Sequence, residues 1–166
     1  MKKQVRNNLF ETNSSSVHTI TISKSNSIAI LDKLHFEGGE FGWDVCEYRS
    51  PAIKASYLYT ALAYDKNTRD EKMKEIVEIL ERHGCSTTYD EFVDDGWYGN
   101  GYIDHAEGLY DFLNIVLKSE KNLLNYLFGD SVLYTYNDNM SYSDSTFFEH
   151  IMSLDTDKYY IITKGN

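Results

Sequence analysis

An acid, a guanidinium, an amide, hydroxyls and an imidazole are packed into thirteen residues near the N-terminus of the chain. The side chains with this chemistry are Arg6, Glu11, Asn13, Ser14, Ser16 and His18. If residues 14–18 are extended, alternate side chains lie on one face at steps of about 6.6 Å. That face would carry two serines and His18. A turn at Asn13 would bring Glu11 and Arg6 back across it.

These groups together could cleave a phosphodiester without a metal or a cofactor. His18 or Glu11 would take the proton of a 2′-hydroxyl, and the other group would protonate the leaving oxygen. Arg6 would stabilise the charge that develops on the phosphate. The groups expected to bind the substrate are Asn13, Ser14 and Ser16. The sequence thus predicts a metal-independent ribonuclease site with Glu11, His18 and Arg6 as its catalytic residues.

The same residues also have a structural interpretation. A Thr-Asn-Ser-Ser-Ser run is typical of turns, because its side chains hydrogen-bond to their own backbone. His18 shares its expected strand face with Ile20 and Ile22, where a hydrogen-bonded core histidine would lie. The exposure of His18 and its distance from Glu11 separate the two interpretations.

A second candidate site combines acidic and aromatic residues just before and within a glycine-rich turn. Its members are Asp90, Glu91, Asp94, Asp95, Trp97 and Tyr98. Carboxylates and aromatic rings could imitate the phosphates and bases of nucleic acid, so this stretch is a candidate surface for binding a basic groove of a partner. The alternative is a solvated acidic loop.

A third candidate follows that turn. Asp104, His105 and Glu107 carry side chains that can bind a metal or act in acid–base catalysis. Asp104 and Glu107 also have the spacing of a helix capping box, which is the structural alternative. Cys46 and Cys85 lack the spacing of a zinc site, so they are not assigned as metal ligands, and the group after the turn stays a candidate without an assigned metal.

The composition limits the partners that the protein can have. Its 166 residues include 16 basic and 26 acidic side chains, which give a formal net charge of −10. Such a chain would not coat nucleic acid or an anionic membrane by charge alone, so a partner with a basic surface is expected. No apolar run is long enough for a secretory signal or a transmembrane helix, and we expect a cytoplasmic protein.

Sequence patterns predict an α+β fold, with a single domain over residues 1–166, a mixed or antiparallel sheet and four to five helices. Strands are expected at residues 17–22, 131–136 and 158–163, with a strand or extended loop at 85–92. Helices are expected at residues 51–64, 69–83, 106–118, 120–128 and 147–153. The sheet and helices must then position the three candidate sites.

Local motifs predict how some of these elements begin and connect. Gly38–Gly39, between two runs that contain aromatic residues, predicts a hairpin. Ser50 and Pro51 are typical of a helix start, with serine as the N-cap and proline at the first helical position. Thr68 and Glu71 have the spacing of a capping box at the start of the second helix.

One stretch of the chain resembles a known N-terminal signature. Residues 8–18 read NLFETNSSSVH and match every fixed position of N-x-F-E-T-N-S-S-S-x-H. This signature is associated with small proteins of phages and mobile elements in low-GC Gram-positive bacteria. Within that group the chain resembles inhibitors of type II CRISPR systems, some of which act through loss or cleavage of the guide RNA. The resemblance implies an active or binding cluster of Glu11, Asn13, Ser14, Ser16 and His18.

These observations support three hypotheses of function. The first is a counter-defence protein that inhibits a type II CRISPR effector by cleaving or disabling its guide RNA, with the RNA presented by the basic effector. The second is a non-catalytic acidic inhibitor that occupies a basic nucleic-acid groove of a bacterial defence protein. The third, supported by composition alone, is transfer of an ADP-ribosyl-type group from a nucleotide.

Overall fold

The computed structural model describes residues 16–42, 44–94, 99–106, 108–137, 149–151 and 153–164. These residues form four helices and eight strands, together with a helical turn at residues 149–151. The helices are α1 (Pro51–Ala63), α2 (Arg69–Arg82), α3 (Leu109–Val116) and α4 (Glu120–Phe128). The strands are β1 (Ser16–Ser23), β2 (Lys33–Phe36), β3 (Glu40–Phe41), β4 (Cys46–Tyr48), β5 (Ser86–Tyr89), β6 (Tyr102–Ile103), β7 (Leu133–Asn137) and β8 (Tyr159–Lys164). The expected α+β class is confirmed, with both antiparallel and parallel pairing.

The largest sheet has the strand order β4-β7-β1-β8, and its neighbouring strands are antiparallel. β1 lies inside this sheet and is buried along almost its whole length, because both faces of the sheet are covered. Ile20 and Ile22 belong to the main core. Val17, on the opposite face, packs against a second cluster of Val132, Tyr134, Tyr136 and Ile151. The strand predicted at residues 17–22 is confirmed, and so is the division of its side chains between two faces.

α1 is the central helix of the core. Ser50 precedes it in extended conformation and Pro51 is its first residue, as predicted, although the Ser50 side chain makes no capping hydrogen bond. The helix contacts β2, β6, α2, α3 and α4. Because it has neighbours on so many sides, residues such as Tyr57, Leu58 and Leu62 are fully buried.

α2 is amphipathic, and one face of it packs on the core. The buried apolar residues of that face are Met73, Ile76, Ile79 and Leu80. Gly84 follows the helix with a φ of 85°, which agrees with its predicted role as a stop. The capping box predicted at Thr68 and Glu71 is wrong, because the Thr68 hydroxyl donates to the carboxylate of Asp65 and makes no capping bond. That hydroxyl therefore stabilises the turn between α1 and α2.

The glycine pair at residues 38–39 does not form the predicted hairpin. β2, before the pair, is parallel to β5, and β3, after it, is parallel to β6. The pair instead lies against the backbone of residues 100–101. A Cβ atom on Gly38 would lie 2.5 Å from the carbonyl carbon of Asn100, and the carbonyl of Gly39 accepts a hydrogen bond from the Tyr102 amide at 2.7 Å. Glycine is needed here for close backbone approach and not for a hairpin turn.

Candidate functional site

The described members of the N-terminal cluster, Ser16 and His18, lie in the core. Neither has any exposed surface. The Ser16 hydroxyl donates a hydrogen bond of 3.0 Å to the backbone carbonyl of Asp104. The Nδ1 atom of His18 lies 3.1 Å from the phenol oxygen of Tyr57, which is also fully buried. Both residues therefore connect β1 to the segments that pack on it.

The other members of this cluster lie outside the described residues; they are Arg6, Glu11, Asn13 and Ser14. The burial of His18 against Tyr57 agrees with the interpretation of His18 as a hydrogen-bonded core histidine. An imidazole in this position has no surface with which to contact a phosphodiester in solvent. The catalytic role of the cluster stays a prediction from the sequence.

Asp104 and His105 follow β6 directly. Asp104 is 8% exposed and accepts a hydrogen bond of 2.5 Å from the Tyr102 hydroxyl. This bond and burial raise the pKa of Tyr102 to about 12. The Nε2 atom of His105 lies 4.0 Å from a carboxylate oxygen of Asp104, and Glu107 lies outside the described residues. α3 is preceded by Gly108 in the left-handed conformation, so Asp104 does not cap this helix and the capping-box alternative is wrong.

Three members of the predicted acidic surface are described, and all of them are exposed. We call Asp90, Glu91 and Asp94 the acidic segment. The side chains of Asp90 and Asp94 are 58% and 78% exposed. Asp95, Trp97 and Tyr98 lie outside the described residues. The segment thus presents three carboxylates to solvent directly after β5.

Aromatic packing holds the backbone of the acidic segment on the core. The ring of Phe92 stacks on Tyr59, with ring centroids 4.5 Å apart and an angle of 9° between the planes. The guanidinium of Arg69 lies 5.0 Å from the Phe92 ring and donates a hydrogen bond of 2.6 Å to Asp94. The Tyr59 hydroxyl donates to the carbonyl of Asp90 at 3.1 Å, and burial together with the charge of Asp90 raises the pKa of Tyr59 to about 12.

The far end of the acidic segment is held by a side chain that lies seven positions further along the chain. The Asn100 side chain accepts a hydrogen bond of 2.9 Å from the Val93 amide and donates one of 2.6 Å to the Val93 carbonyl. An open pocket of about 260 Å³ adjoins this end, and its lining includes Tyr64, Lys66, Val93, Asp94 and Asn100. The carboxylates therefore project from a fixed backbone beside a concave surface.

The structure also brings His35, for which the sequence predicts no role, to the acidic segment. The Nε2 atom of His35 lies 3.3 Å from a carboxylate oxygen of Asp90, because β2 and β5 are parallel neighbours. His35 and Glu37 are exposed on either side of the buried Phe36. This alternation is typical of a strand with one solvent-facing side. It is the sequence pattern that could have placed His35 and Glu37 on the same face.

No protein-family model matches the chain, and neither does any curated protein or any solved structure. Within the described residues, no helix combines the length and the apolar character that are needed to cross a bilayer. The exposed chemistry of the chain itself is therefore the basis for inferring its function.

Proposed function

We propose that this chain is a counter-defence protein that binds a basic nucleic-acid groove of a bacterial defence protein through its acidic segment, without catalysis. The observation that carries the proposal is the display of Asp90, Glu91 and Asp94 on a backbone that Phe92 and Asn100 hold in place. A partner would meet these carboxylates in a fixed arrangement, so binding would cost little ordering of the segment.

Charge favours a basic partner for this surface. The chain has a formal net charge of −10, and the exposed carboxylates add a local concentration of negative charge. Such complementarity increases the rate of encounter and fixes the orientation of the complex, and it weakens as salt is added.

The N-terminal signature supports the choice of a type II CRISPR effector, loaded with its guide RNA, as the partner to test first. Binding of the purified chain to the loaded effector is measured at increasing salt concentration. The double variant Glu91→Lys with Asp94→Asn is expected to weaken binding by about tenfold or more, because it removes two negative charges and adds a positive one.

A matched control has the same change in net charge at another surface. Glu149→Lys with Asp157→Asn changes two exposed residues that precede β8, away from the acidic segment in sequence. This control is expected to bind nearly as well as the unchanged chain. Equal loss of affinity in both double variants, or affinity that does not respond to salt, would contradict the proposal.

The same complex separates binding from the RNA-cleavage hypothesis. After incubation, the guide RNA is recovered and its length is examined on a denaturing gel. Intact RNA together with an inhibited effector supports a non-catalytic inhibitor. Shortened RNA that depends on Glu11 would instead support cleavage by the N-terminal cluster and overturn the present proposal.

A further inference from the structure

Three potential metal ligands from two separate parts of the chain meet at the edge of the β2–β5 pair. One ligand atom each of His35, Glu37 and Asp90 can be chosen so that all three lie within 4.8 Å of one another. All three side chains are exposed, so an ion could reach them from solvent. One imidazole nitrogen and two carboxylates form a donor set that suits a divalent transition metal.

The backbone that carries these side chains is fixed by strand pairing. β2 and β5 are parallel, with His35 opposite Thr88 and Phe36 opposite Tyr89. The amide of Asp90 extends this pairing with a hydrogen bond of 3.0 Å to the carbonyl of Phe36. The buried side chain of Phe36 points to the core, so its neighbours along the chain, His35 and Glu37, point away from the core.

A second hydrogen bond orients the imidazole for metal binding. The Nδ1 atom of His35 lies 2.8 Å from the hydroxyl oxygen of Thr88. In the neutral tautomer with its proton on Nδ1, the ring donates to Thr88 and the lone pair of Nε2 faces Asp90. Metal-binding histidines are commonly fixed in this way by a partner at the other ring nitrogen.

We infer that His35, Glu37 and Asp90 form a binding site for Zn²⁺ or a similar transition-metal ion. The 3.3 Å between Nε2 of His35 and Asp90 is close to the separation of two ligands around tetrahedral zinc, which is about 3.3 Å for bonds of about 2.0 Å. Small rotations of the exposed Glu37 side chain would complete the set. Three protein ligands leave a coordination position open, as in zinc sites that bind a further ligand. This inference does not depend on the proposed function.

The experiment is a calorimetric titration of the full-length, tag-free and metal-free chain with ZnCl₂. One ion per chain is expected to bind, and zinc is expected to raise the melting temperature, because an ion bound to the folded state links β2 to β5. His35→Ala is expected to abolish binding at this site. Thr88→Val removes only the orienting hydroxyl and is expected to weaken zinc binding by about 10- to 100-fold.

Two control variants test whether zinc binds elsewhere. His83 also pairs with an exposed carboxylate, that of Glu120, and Cys46 is a half-buried free thiol. His83→Ala and Cys46→Ser are expected to bind zinc as the unchanged chain does. The inference is overturned if no zinc binds, if His35→Ala retains binding, or if either control abolishes it. Loss of zinc binding in His35→Ala with unchanged partner binding would leave the proposed function intact.

Discussion

The Nδ1 atom of His18 lies 3.1 Å from the phenol oxygen of Tyr57, and this contact joins the central β-strand to the central helix. Both side chains are fully buried, and their ring centroids are 5.8 Å apart. The Tyr57 ring also packs edge-on against Phe41 and Phe112. Burial raises the pKa of Tyr57 well above 10, so its hydroxyl stays protonated and available for this contact.

His18→Ala is therefore expected to lower the free energy of unfolding by about 2–4 kcal/mol, since it leaves a cavity and removes the partner of a buried hydroxyl. Urea denaturation measures this loss. His35→Ala, at an exposed histidine and without metal, is expected to change the value by less than about 0.5 kcal/mol. A His18→Ala protein as stable as the unchanged chain would show that the contact does not contribute to the fold.

Elements that depend on local patterns could be predicted from the sequence. β1 was predictable because a run of β-branched residues alternates between two buried faces. The start of α1 followed from Ser50 and Pro51, and the end of α2 from Gly84, because each motif acts on its own few residues. The α+β class followed from the order of these elements.

The pairing of distant segments could not be predicted in the same way. The glycine pair at residues 38–39 has the local features of a hairpin, but tertiary contact with residues 100–101 decides its conformation. Parallel pairing of β2 with β5 joins His35 to Asp90 across more than fifty positions, and no local pattern encodes that register. The acidic segment was identified from composition, whereas its anchoring by Arg69 and Asn100 depends on the fold.

Alanine substitutions at three glycines should separate backbone conformation from close packing. Gly101 has a φ of 80°, and a Cβ there would lie 2.4 Å from backbone atoms of Gly39, so Gly101→Ala is expected to cost more than about 2 kcal/mol. Gly84 also has a positive φ but its Cβ would meet no described atom within 4 Å, so about 1 kcal/mol is expected. Gly42→Ala should cost nothing measurable, since neither constraint applies. Thermal denaturation gives the order, and equal effects at Gly101 and Gly42 would contradict the close approach.

Asn100→Ala should loosen the acidic segment without changing its charge. The substitution removes both hydrogen bonds to Val93, and a loss of about 1–2 kcal/mol in unfolding free energy is expected. Hydrogen exchange of residues 90–94 should become faster, and affinity for the basic partner should fall if a fixed segment is what binds. Asn114→Ala, at an exposed position of α3, is the control. Unchanged exchange at residues 90–94 would show that Asn100 does not hold the segment.

Lys54 is the buried cation of α1. It is 1% exposed, and its ammonium donates hydrogen bonds to the carbonyls of Gly129 and Ser131 at 3.3 and 3.2 Å. Burial lowers the pKa of Lys54 from its ordinary value of 10.5 to about 8, and the charge of Asp130 opposes this shift. The lysine therefore fixes the loop after α4 at the expense of burying a charge.

The Lys54 shift predicts a contribution to stability that increases with pH. Below pH 8 the amine is protonated in both states and the folded chain bears the cost of the buried charge. Between about 8 and 10.5 the unfolded chain holds a proton that the folded chain has lost, so the free energy of unfolding should rise by about 3 kcal/mol. Burial raises the pKa of Cys85, which gives an opposite contribution to stability above pH 9.

Urea denaturation measures the free energy of unfolding of the unchanged chain and of Lys54→Met at each pH. The Cys85 contribution is the same in both proteins and cancels in the difference between the two free energies. That difference should grow with pH across this window. Lys158→Met, at an exposed lysine, should show no such difference, and parallel pH curves for the unchanged chain and Lys54→Met would contradict the lowered pKa.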